Sequence, residues 1–114
     1  MDHLTNDAKF LLSSMYGKYL EKRTSGETKK VSMLFGDVDD IHSEIMPEWL
    51  FDDVLTTCLE LERHGFIKSI HASNKMLRVS ISTEAIALQE TTFKDKIDLA
   101  FEYAGKIKNS IPFF

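Results

Sequence analysis

Leu4, Ala8, Leu11, Leu12, Met15 and Tyr19 recur at three- and four-residue intervals, which places them on one face of a helix. Asn6 or Thr5 can cap that helix, and it runs to about Arg23. A polar loop, Thr24-Ser25-Gly26-Glu27-Thr28, follows. The apolar run over Val31–Phe35 predicts a short strand. Gly36-Asp37-Val38-Asp39-Asp40 then breaks the pattern, and Asp39 or Asp40 can cap a second helix over Ile41–Ile45. Pro47 disfavours helical geometry at Met46, so the second helix ends there. A third helix starts at once, with Pro47 at its first position, where the missing N–H costs nothing. Leu50, Phe51, Val54, Leu55, Cys58 and Leu61 share its inner side. Arg63 and His64 fill its last turn, and Gly65 supplies the left-handed cap.

Phe66–Ala72 and Met76–Ser82 read as two strands around Ser73-Asn74-Lys75. A tight pair of helices running into a hairpin predicts an α+β fold, a winged helix-turn-helix. The hairpin is followed by a helical turn or short helix over Thr83–Leu88. Thr92, with Asp95 three residues on, can open an additional C-terminal helix, about Phe93–Ser110. Phe93, Ile97, Ala100, Ala104, Ile107 and Ile111 form a short heptad seam along it. That seam predicts either a homodimer interface or a cover for the first helix of the same chain. The expected organisation is one domain over 1–114, with a core at about 5–90 and the C-terminal helix at about 92–111.

Composition changes this picture little. The chain has 114 residues and one cysteine, Cys58, so an internal disulfide is excluded and a reducing cytoplasm is expected. No apolar run reaches bilayer length, and Met-Asp-His-Leu-Thr is no signal peptide.

Charge changes it more. The net charge of −4 conceals a segregation: residues 37–64 carry one Arg against nine Asp or Glu. Trp49, Asp52, Asp53, Thr56, Glu60 and Arg63 fall on the outer face of the third helix, which in a winged helix would enter the major groove. Affinity for DNA comes from Lys and Arg on phosphates, so this face has the wrong sign. Trp49 can anchor a protein partner, or pack under the second helix against Ile41 or Ile45. The hairpin has the opposite sign, with Lys68, His71, Lys75 and Arg78 in and around it. These suit phosphate contacts, or an ordinary solvated edge.

No motif of catalysis or cofactor binding is found. Counted from Asp37, an EF-hand loop would need glycine at its sixth position and an oxygen ligand at its fifth; His42 and Ile41 stand there. The histidines and Cys58 lack zinc spacing. No phosphate loop, nucleophile elbow or zinc-protease motif occurs. The expectation is a non-enzymatic protein with no metal and no cofactor.

Phe51-Asp52-Asp53-Val54, the join Glu62-Arg63-His64-Gly65-Phe66-Ile67, and the hairpin start Lys68-Ser69-Ile70-His71 resemble the small YjcQ-like winged-helix proteins of bacteria and phages. Thr83-Glu84 resembles the Thr-Glu after the wing in such domains. The resemblance runs from about Trp49 onward and implies a small regulatory protein, with no catalytic residues to carry over. Two functions follow. One is a protein-interaction module that binds a basic partner, or mimics nucleic acid, through Trp49, Asp52, Asp53, Thr56 and Glu60. The alternative is a dimeric DNA-binding transcriptional regulator using Lys68, His71, Lys75 and Arg78. Charge pattern favours the first.

Overall fold

A computed structural model describes residues 4–92. They form an α+β arrangement of five helices and a three-stranded antiparallel sheet. Helix α1 (Asn6–Thr24) is capped by Thr5, whose hydroxyl accepts from the Ala8 N–H at 3.2 Å. One donor left unpaired by the first turn is thereby satisfied. The stripe from Leu4 to Tyr19 is buried, with Tyr16 added to it. At the far end Gly26 adopts φ +100°, and its N–H bonds the Arg23 carbonyl while the Glu27 N–H bonds that of Lys22. This is the Schellman closure, which needs a residue free to turn left-handed.

The strand expected over Val31–Phe35 is corrected. Thr28 accepts from the Val31 N–H at 3.2 Å and opens one helical turn, α2 (Lys29–Ser32). Only then does β1 (Leu34–Gly36) begin. A good N-cap outweighed the β-preference of one valine.

Helix α3 (Val38–Glu44) also starts earlier than expected, because Asp37 rather than Asp39 or Asp40 occupies the cap position. Asp40 reaches back to the Asp37 N–H at 3.0 Å, the return half of a capping box. Gly36 is required here: its φ is +78°, and a Cβ would lie 2.5 Å from the Asp40 carboxylate.

The third predicted helix is shorter than expected. Pro47 does not occupy its first turn; helix α4 spans Phe51–Arg63 with Leu50 at the cap. Pro47 instead follows Met46 in a turn closed by the Trp49 N–H on the Met46 carbonyl, 3.2 Å, the position where proline's fixed φ suits a β-turn. The Trp49 carbonyl is taken by His42 Nε2 at 2.7 Å. A carbonyl can only accept, so Nε2 carries the proton. Leu50 and Phe51 consequently leave the inner face and are 72% and 38% exposed, whereas Val54, Thr57, Cys58 and Leu61 are buried. At the other end the Gly65 N–H bonds Glu62 and the Phe66 N–H bonds Leu61. This second Schellman closure has Gly65 at φ +78°.

Strands β2 (Ile67–Ala72) and β3 (Lys75–Ile81) form a hairpin, and the sheet order β1-β3-β2 makes β3 central. Ala72 pairs with Lys75, so the loop is two residues, not three. Ser73 and Asn74 both have positive φ, as the mirror-image turn that matches strand twist demands. The register slips between Lys68 and Ile70, and again between Leu34 and Gly36. Arg78, at φ +52°, falls within the first of these slips, between the partners Ser80 and Leu77. Its N–H is collected by the Asp37 carboxylate at 3.2 Å.

Helix α5 occupies residues 83–92 of the described range. Buried Ser82 opens it, accepting from the Ala85 N–H at 3.1 Å and donating to the Gly65 carbonyl at 2.7 Å. One hydroxyl thus links the end of α4 to the start of α5. Thr92 is not a cap as expected: it is helical, and its hydroxyl donates to the Leu88 carbonyl at 3.2 Å. The helix proposed over Phe93–Ser110, with its seam of Phe93, Ile97, Ala100, Ala104, Ile107 and Ile111, lies outside the described residues.

Buried side chains of α1, α3, α4, the sheet and α5 form one apolar cluster. The order of helices and hairpin is compatible with a winged helix. Among the described residues, no helix is long and apolar enough to cross a membrane.

Candidate interaction surface

Carboxylates gather on α3, the turn after it and the first turn of α4. Asp39, Asp40, Glu44, Glu48, Asp52 and Asp53 are all exposed. Among the described residues the ion pairs are Lys18 with Glu21 and His71 with Glu62, so none of these six acids is in a direct ion pair there, although Glu44 lies within electrostatic reach of Lys22. Local structure explains part of the pattern. Leu50 gives α4 no side-chain cap, and Asp52 and Asp53 supply the negative charge that a helix N-terminus favours.

The two acids further along α4 are engaged. Glu60 accepts from the Thr5 N–H at 2.8 Å and the Thr5 hydroxyl at 2.7 Å. The backbone bond from Thr5 is the main reason its carboxyl is held below the usual range. Glu60 therefore ties α4 to the start of α1 and is not a free member of the surface, contrary to expectation. Glu62 faces the hairpin, accepting from Ser69 at 2.5 Å and bonding His71 Nε2 at 2.8 Å. Burial alone would raise its pKa, but the bonds from Ser69 and His71 and the His71 charge outweigh this and lower it.

Trp49 is half-buried and packs against the core. Its ring also stacks on Phe10 of α1, with centroids 6.3 Å apart and planes 27° from parallel. Phe10 is 58% exposed, and Leu50 beside Trp49 is more so. Phe10, Trp49 and Leu50 therefore make an apolar ledge next to the acids. Phe10 was missed in the sequence, although an aromatic lying off the buried stripe of an amphipathic helix is the signal that could have found it. Thr56 is exposed on α4, as the helical spacing implied.

On the hairpin, Lys68, Lys75 and Arg78 are exposed, but His71 is tied to Glu62 and the Arg78 backbone to Asp37. Among the described residues no group of three His, Cys, Asp or Glu could hold a metal. Burial, then the charge of Glu62, pushes the Cys58 thiol up to about 12, leaving it without the thiolate a nucleophile requires. Comparison of the chain with protein-family models, curated proteins and solved structures finds no significant match.

Proposed function

We propose that the chain is a winged helix that works as a non-enzymatic protein-interaction module, docking a basic partner on the α3–α4 surface. One observation carries this reading: an apolar ledge of exposed Phe10 and Leu50 with half-buried Trp49 lies beside exposed carboxylates that form no direct ion pair among the described residues. Interfaces combine an aromatic anchor with a charged rim that steers the partner. Duplex DNA is disfavoured there by like charge. The resemblance to YjcQ-like proteins agrees with a regulatory role. A second reading, DNA binding through the hairpin, draws on exposed Lys68, Lys75 and Arg78.

Affinity capture from producing cells, with wild type beside Asp52→Lys/Asp53→Lys, tests the first reading. The variant should fold, lose about 1 kcal/mol from the inverted helix-dipole interaction, and release the basic partner. Undiminished capture would remove the basis of the proposal. Duplex DNA binding at low ionic strength that is lost in Lys75→Glu/Arg78→Glu would transfer the function to the hairpin.

A further inference from the structure

Between α3, α4 and the hairpin tip lies a cleft of about 290 Å³, lined by Asp37, Val38, Asp39, Phe51, Leu55 and three hairpin residues, Lys75, Met76 and Leu77, with Asn74 at the turn. Val38 and Met76 are buried, while Leu55 and Leu77 are half-buried. An apolar cleft therefore opens between walls that still carry unburied hydrocarbon. Its size is at the lower limit for a drug-sized ligand, which suits one or two side chains of a docked polypeptide better than a cofactor.

Charge at the mouth is asymmetric. The helical wall carries Asp37 and exposed Asp39, and the hairpin wall carries Lys75 alone. Asp52 follows Phe51 in α4, about 100° further round the helix, so the lining passes directly into the acidic surface. The Phe51 ring is steadied edge-on by His42, with centroids 5.8 Å apart. The hairpin wall is held as well, through Asp37 to the Arg78 N–H and through Glu62 to His71.

From this geometry we infer that the cleft receives a large apolar side chain of the docked partner, from a segment whose flanking Lys or Arg residues meet Asp39 and Asp52. The inference rests on the acidic-surface reading and names the partner's chemistry: an amphipathic basic segment with an aliphatic or aromatic anchor. Burying one leucine-sized side chain is worth roughly a tenfold gain in affinity or more.

A fluorescein-labelled amphipathic Leu/Lys peptide, an oligolysine of equal charge and a Leu/Glu peptide are titrated by anisotropy, with methyl shifts followed at Val38, Leu55 and Leu77. The Leu/Lys peptide should bind about tenfold tighter than oligolysine and shift those methyls. Leu77→Lys should abolish the difference between the two basic peptides. Asp39→Lys should weaken both and serves as the second variant should Leu77→Lys fail to fold. Equal binding of the two basic peptides, with the methyls unmoved, would overturn the cleft as anchor and leave acidic docking standing. Equal seating of the Leu/Glu peptide would overturn the basic partner. Binding of neither basic peptide would overturn both readings.

Discussion

On α3 and the start of α4, Asp39, Glu44, Glu48, Asp52 and Asp53 stand exposed and form no ion pair among the described residues, whereas the carboxylates facing the hairpin are bonded to it. Glu62 holds Ser69 and His71, and Asp37 holds the Arg78 backbone. Carboxylates on one side are left available; those facing the hairpin serve architecture, while the hairpin's own Lys68, Lys75 and Arg78 remain exposed. The number of ionisable groups on a surface is thus a poor guide to what it can bind, and their existing hydrogen bonds are a better one.

Breaking the architectural side should have the largest effect. Gly36→Ala puts a Cβ against Asp40 at a left-handed backbone position and should cost about 2 kcal/mol or more in chemical denaturation. Thr5→Ala removes both a helix cap and the hydroxyl bonded to Glu60, with an expected loss of about 1 kcal/mol. Its effect should not add to that of Glu60→Ala in a double-mutant cycle. Arg78→Gly goes the other way. It relieves a positive φ and keeps the N–H bond to Asp37, so denaturation midpoints should rise, by up to about 1 kcal/mol in stability.

Acid titration sharpens the same contrast. Glu62 has a folded pKa below that of an unfolded glutamate. Its stabilisation is therefore complete above the unfolded pKa, near 4.3, and is lost as pH falls through the folded value. Glu62→Gln should flatten that part of the stability–pH profile. On the acidic surface, Glu48→Gln should change stability by no more than about 0.5 kcal/mol; a larger loss would show that this surface, too, is structural.

Helix α1 was legible because cap and apolar stripe agree, and Gly65 marked the end of α4. The start of α4 was not legible. Pro47 is compatible with both a first helical position and a turn, and the bond that accompanies the turn, from His42 to the Trp49 carbonyl, is a contact across seven residues. The strand over Val31–Phe35 failed because Thr28 caps a turn of helix that a hydrophobic pattern does not register. The acidic face was visible as charge, but the engagement of Glu60 by Thr5 spans 55 residues and leaves no local trace.

Two guy-lines brace the hairpin: one runs from the head of α3 to the bulged backbone of its middle strand, the other from the tail of α4 to its outer strand. It cannot swing outward without slackening both. The gap between hairpin and helices is accordingly set before any visitor arrives, so a guest that fits meets a doorway already at its working width and loses little freedom in the host.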